Sequence, residues 1–236
     1  MGTLANAIKE TLTENIMRWR GEGEMKLPSE RYLSEQHSTT RVTIREALKL
    51  LETEGLIYRE NRRGWFISPP KLRYDPSVHG RVSFVDYARQ QGFQPSTQLL
   101  SIKLTVADRY IASEMQIAVG KPVYQVNRLR SLNGRPVLYE QMLLRADLLP
   151  NLDRFDLEGS LHALLRSEYG MTVQKADFEI SVSILPNDVA QALSAPMGVS
   201  SLKFQRKYRN QHGEIFEFDH ELWRHDAISI NFDINN

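Results

Sequence analysis

The chain is 236 residues long, 41% hydrophobic and 25% charged, the make-up of a globular protein with room for two cores. A net charge of +1 does not announce a nucleic-acid partner, and the lack of cysteine removes disulfides, thiolate catalysis and cysteine-based zinc sites. No run approaches about 18 apolar residues, and the first residues lack the basic-then-apolar layout of a signal peptide. The expected compartment is therefore the cytoplasm, with no membrane partner.

Leu4, Ile8, Leu12, Ile16 and Trp19 recur at three- and four-residue steps, one apolar stripe of a helix that Gly21 can end. Ser29 suits the N-cap of a short second helix over 30–37, and Thr40 caps a third whose buried face carries Ile44, Ala47, Leu48 and Leu51 before Gly55. Residues 56–59 and 65–67, joined by a polar tip at 60–64, predict a hairpin. Helix, helix-turn-helix and hairpin in that order predict a winged helix over 1–70. Residues 1–70 carry 11 Lys/Arg against 10 Asp/Glu, so placement matters more than total charge. Arg41, Arg45, Arg59, Arg62 and Arg63 fall where a helix and a hairpin tip would expose them.

Pro69-Pro70 stops regular structure, and residues 71–79, with Pro76 inside, have linker character. A helix is expected over 83–91. Beyond it, strand-like runs at 99–106, 123–132, 137–144, 173–185, 202–209 and 215–223 alternate with helices at 157–169 and 187–193. Asn133-Gly134 and His212-Gly213 lie between two pairs of these runs as hairpin signals. Residues 80–236 are thus expected to form an α+β domain on an antiparallel sheet.

The stretch Leu27-Pro28-Ser29-Glu30-Arg31-Tyr32-Leu33, then Thr40-Arg41-Val42-Thr43-Ile44-Arg45-Glu46-Ala47-Leu48 and Leu51-Glu52 with Glu54-Gly55-Leu56-Ile57, resembles the GntR family of winged-helix regulators. Arg41 and Arg45 stand four apart, away from the apolar face and in the N-terminal half of the helix that enters a major groove, where arginine can read a guanine edge. Thr40 and Thr43 are within reach of a phosphate or a base methyl. The resemblance makes Arg31 a phosphate clamp. It also exposes a departure: the family's wing usually reads Gly-x-Gly-Thr, and here Arg62, Arg63 and Gly64 occupy the tip. An arginine there can enter a narrow minor groove.

Residues 80–236 resemble the UTRA effector domain of the HutC branch of that family, an α+β fold related to chorismate lyase. The residues that carry this are Ser83-Phe84, Asn127-Arg128-Leu129-Arg130 leading to Asn133-Gly134, Pro136 and Glu140, then Gly159-Ser160-Leu161, Glu217, and Trp223-Arg224 with Asp226. Arg128 and Arg130, two apart on a strand, leave one face together and suit an anion or a carboxylate between them. Ser160 at a helix start also favours an anion. The resemblance implies an effector pocket of Arg128, Arg130, Ser160 and Glu217, with Phe84, Glu140 and Trp223; the competing reading of Arg128 and Glu140 is a surface ladder across a hairpin. A narrower resemblance, in Asn61-Arg62-Arg63-Gly64-Trp65-Phe66, Asp75-Pro76 and Trp223-Arg224-His225-Asp226, is to regulators of phosphonate utilisation. It implies 2-aminoethylphosphonate as effector, with Trp223 available to its ammonium.

The expected protein is a repressor, homodimeric through 80–236, that binds a palindromic double-stranded operator and is released by a small anionic effector. It needs no cofactor, metal or catalytic residue. The alternatives are an enzyme on a lyase-like fold, a family member that senses a phosphosugar or amino-acid derivative, and a DNA-architectural protein without a ligand. Asp219-His220-Glu221 is not expected to gather on a metal, because alternation along a strand sends His220 away from the other two.

Overall fold

The structure, a computed structural model, describes residues 2–21, 25–60, 62–76 and 83–231. Asn61 of the wing tip, residues 77–79 of the expected linker and residues 80–82 and 232–236 of the expected second domain lie outside them. The chain divides into two compact units, 1–71 and 72–236.

In the first unit α1 (Gly2–Gly21) lays Ile8, Leu12 and Ile16 against Leu33 of α2 (Glu30–Gln36) and Ile44, Leu48 and Leu51 of α3 (Arg41–Thr53). The two short helices start where hydroxyls can replace missing partners. Ser29 Oγ accepts from the Tyr32 amide at 3.2 Å, and Thr40 Oγ1 from Thr43 at 3.3 Å, each cap worth about 1 kcal/mol. Strands β1 (Ile57–Glu60) and β2 (Gly64–Ile67) pair antiparallel, with Ile57 opposite Ile67. Ile57, Trp65 and Ile67 close the same core from the wing side.

The second unit is built on six strands: β4 (Pro95–Val106), β5 (Pro122–Leu132), β6 (Arg135–Arg145), β7 (Lys175–Ile184), β8 (Ser200–Arg209) and β9 (Ile215–Arg224). They pair antiparallel in the order β4-β5-β6-β9-β8-β7. The β5–β6 turn is Asn133-Gly134, both with positive φ (52° and 77°), the conformation that suits the twist of a tight hairpin. The chain is α+β, with a helical winged-helix unit and an antiparallel-sheet unit, as its pattern predicts. No helix among the described residues is long and apolar enough to cross a membrane.

Three local expectations need correction. Residues 72–74 are not linker: β3 (Leu72–Tyr74) pairs parallel with β10 (Ile228–Ile230), burying Leu72 and Tyr74 in the second core. Three alternating residues between prolines are too short a pattern to read, and the partner strand is more than 150 residues away. The helix expected from 157 begins at Leu161, because Ser160 Oγ accepts from the Ala163 amide at 3.4 Å and caps it there. A helix over Arg109–Met115, capped by Asp108, was not expected at all. With the helix over Phe84–Gln90 as α4, these two are α5 (Arg109–Met115) and α6 (Leu161–Tyr169).

His220 leaves β9 on the face opposite Asp219 and Glu221 and packs on Phe218, ring centroids 4.4 Å apart, with Tyr110 of α5 nearby. Burial, with Lys203 adding to it, pushes its pKa down to about 4. Unfolded histidine takes up a proton near pH 6.5, so between that pH and about 4 the unfolded state binds more protons and stability falls as pH falls. Urea melts from pH 7.5 to 5 should show an acid-side loss on the order of 1 kcal/mol from this site, small because the ring is partly exposed. His220→Gln should flatten that part of the profile.

Candidate DNA-reading face and effector pocket

On the first unit Arg41, Arg45, Arg62 and Arg63 are exposed, as are Arg31 and Thr40, while Thr43 is half-buried. Arg45 is not loose. Its Nε donates to Glu30 Oε2 at 2.7 Å, and Glu30 Oε1 accepts from the Trp65 indole N–H at 3.2 Å. One carboxylate thereby ties α2, α3 and the wing. Partial burial alone would raise the Glu30 pKa, but these two donors outweigh it and lower it. Arg31 pairs within its helix with Glu35 at 2.9 Å, and the Thr40 and Thr43 hydroxyls lie 3.1 Å apart. At the tip, Arg62 has φ 61°, a left-handed conformation that glycine adopts freely and other residues at a cost of about 1 kcal/mol. Gly64 follows at φ 107°. Arg63 pairs with Glu60 and lies over Phe66, 5.2 Å from the ring centre.

The second unit holds a small cavity of about 60 Å³, open at its mouth. Of the residues predicted to meet an effector, Phe84, Arg128, Arg130, Glu140, Ser160 and Glu217 line it. Trp223 does not. It is fully buried, its ring packed on Phe84 and Phe204 and its indole N–H donating to Glu221 at 2.6 Å. The alternation that puts it on the pocket face of β9 also carries it under the aromatic cluster, so it supports the wall and is not available to an ammonium.

Arg128, Arg130 and Glu140 are buried, so they are no surface ladder. Glu140 Oε2 accepts from Arg128 Nε at 2.6 Å, and Arg130 Nη2 reaches Glu140 Oε1 at 2.7 Å. Burial would raise the Glu140 pKa; the two guanidiniums outweigh it and hold it at about 2. Arg128 also donates to the carbonyls of Leu157 and Gly159 at 2.9 and 3.3 Å, pinning the loop that leads to Ser160. Arg130 keeps Nη1 uncommitted among the described residues, and its guanidinium lies 4.9 Å from the Phe84 ring centre.

Sequence reasoning missed part of this wall. Arg206 of β8, Asp219 and Glu221 of β9, Tyr208 and His162 also line the cavity. Arg206 pairs with Glu221 at 2.9 Å and is enclosed by Tyr74, Phe178 and Phe204, 5.1–5.6 Å from their ring centres. His162 Nε2 lies 3.1 Å from Glu217 Oε2. The signal was present for Asp219 and Glu221, which share strand parity with Glu217; nothing local marked Arg206 or His162.

A winged-helix head joined in one chain to a unit with a charged cavity defines a ligand-responsive class of DNA-binding regulator. The family model for the UTRA domain matches residues 90–229, and that for bacterial regulatory proteins of the gntR family matches residues 4–67. The chain belongs to the gntR family of bacterial regulators, in the branch that carries a UTRA domain. It is 27% identical over 223 residues to the HTH-type transcriptional repressor NagR of Bacillus subtilis, covering 94% of this chain and 91% of that one. It is 29% identical over 204 residues to the HTH-type transcriptional repressor PhnF of Mycolicibacterium smegmatis, covering 86% and 82%. The crystal structure of PhnF from Mycobacterium smegmatis superposes with a TM-score of 0.68 over 97% of this chain and 99% of that one, at 26% identity. The family and these relatives are transcriptional regulators, not enzymes.

Two variants test the DNA-reading face. Arg62→Gly should raise the stability of the first unit by about 1 kcal/mol through relief of the left-handed backbone, yet weaken operator binding measured by fluorescence anisotropy. Stabilisation with unchanged affinity would remove Arg62 from the DNA contact. Glu30→Gln should keep the fold but loosen Arg45, lowering the preference for operator over unrelated DNA by about 1–3 kcal/mol.

Proposed function

We propose that this chain is a repressor that binds a palindromic operator as a homodimer and releases it when a small effector with both an anionic and a cationic group enters the pocket. The observation that carries this reading is the composition of one chamber. Arg130 offers an uncommitted Nη1, and Ser160 stands at the start of α6, where backbone amides lack partners. Both suit the oxygens of a phosphonate or phosphate. Glu217, on the same cavity, suits an amine. The resemblance at the wing and at Trp223-Arg224-His225-Asp226 to phosphonate-utilisation regulators supports 2-aminoethylphosphonate, which has both groups. On the DNA side Arg41 and Arg45 read bases, Arg62, Arg63 and Gly64 take the minor groove, and Arg31, Thr40 and Thr43 position the helix on phosphates.

One winged helix buries little surface, and pairing two on a two-fold axis is the usual remedy. Light scattering on the free protein and on operator DNA should show two chains; a single chain in both would overturn the dimer.

The switch is tested by anisotropy of labelled operator titrated with 2-aminoethylphosphonate. Linkage requires effector and operator to weaken each other equally, by a coupling of about 1–3 kcal/mol. Arg130→Gln, which leaves Arg128 on Glu140, should bind operator as wild type does and resist release. Release at the wild-type effector concentration would place the effector elsewhere.

A further inference from the structure

Four carboxylates face the cavity, and three are crowded. Oxygens of Glu140, Asp219 and Glu221 lie within 4.8 Å of one another, and all three side chains are buried. Glu140 is taken by Arg128 and Arg130, and Glu221 by Arg206 and the Trp223 indole. Asp219 differs. Its Oδ1 is buried with no hydrogen-bond partner among the described residues, on a side chain that lines the cavity. Leaving a buried acceptor unmatched is costly, so the oxygen wants a donor that the chain does not itself supply.

We propose that Asp219 is the acceptor for the cationic group of the effector, an ammonium that enters beside Glu217 and completes the hydrogen bonding of the carboxylate cluster. This rests on the effector reading above and adds the seat of the cation and its consequence. Glu217, Asp219 and Glu221 alternate along β9 and leave the sheet on one side. An ammonium has three donors and no acceptor, so it can serve Asp219 and Glu217 together. A divalent metal ion fits less well: the other two carboxylates are already held by guanidiniums, whose charge opposes a doubly charged neighbour.

The cation displaces a proton. Glu140 faces Asp219 from β6, with Glu217 and Glu221 on its own strand. From β8 come Arg206 and Tyr208, and from β5 Arg128 and Arg130. His162 of α6, Tyr74 of β3 and Tyr87 of α4 complete the charged and titratable surroundings. Burial, with the negative charges of Glu140 and Glu221, holds the Asp219 carboxyl well above the usual carboxylate range. Such a shift favours the neutral carboxylic acid in the empty pocket. When the ammonium arrives, the carboxyl O–H bond breaks, the proton goes to solvent, and the carboxylate pairs with the ligand.

The test is calorimetric titration of the full chain with 2-aminoethylphosphonate and with ethylphosphonate, near neutral pH, in buffers of different ionisation enthalpy. It is run on wild type and on Asp219→Asn, an isosteric neutral variant whose folding is checked by operator binding. Wild type should release about one proton more per aminophosphonate than Asp219→Asn does, with no such difference for ethylphosphonate, so that the second ionisation of the phosphonate itself cancels. Asp219→Asn should also lose about tenfold or more of the preference for the amine-bearing ligand. Equal proton release from wild type and variant, an undiminished preference in the variant, or tight binding of magnesium or manganese at this site would overturn the proposal. If neither phosphonate binds, the effector named in the preceding section fails by itself. Infrared spectroscopy then decides for Asp219: a neutral-pH carboxylic acid band that Asp219→Asn removes supports the proposal, and no such band overturns it.

Discussion

The carboxylate of Glu140, buried between the guanidiniums of Arg128 and Arg130, is the interaction that organises the second unit. Three ionised groups taken out of water are tolerable only when each satisfies the others, and removing one typically costs about 3–5 kcal/mol because the remainder stay buried. The arrangement spans two strands and a loop. Arg128 holds the carbonyls before Ser160, so the start of α6 is set by an arginine on β5. Arg130, sharing the same carboxylate through Nε and Nη2, lines the cavity with Nη1 uncommitted among the described residues. Glu140 therefore tempers the positive charge of the arginine pair and leaves a site suited to a ligand carrying both signs.

Glu30 has the equivalent position in the first unit. It stands at the start of α2, yet its two oxygens fix Arg45 on α3 and Trp65 on β2. An arginine held this way has fewer conformations to lose on meeting a partner than a free one. The chain thus uses the same device twice, a carboxylate that holds an arginine, once in each unit.

Much of this was legible from spacing alone. Ser29 and Thr40 announce their helices because hydroxyl caps are local chemistry, and Asn133-Gly134 announces its hairpin because both residues tolerate positive φ. Arg128 and Arg130 could be placed on one face because strand parity is a two-residue rule. What escaped was whatever depended on a distant partner. Leu72 and Tyr74 are strand only because Ile228 and Ile230 lie beside them, and Arg206 enters the pocket only because β8 pairs with β9. Trp223 shares parity with Glu217, but parity says nothing of depth: Phe84 and Phe204 close over its ring.

The dependence of the second unit on Glu140 is open to one direct measurement, the unfolding free energy of Glu140→Gln against wild type from urea denaturation at neutral pH. The side chain keeps its size and loses its charge, leaving two buried guanidiniums opposed. A loss of about 3–5 kcal/mol, with the operator-binding unit still folded, is the expected result. A loss under about 1 kcal/mol would mean that the arginines find other partners and that Glu140 does not set the pocket.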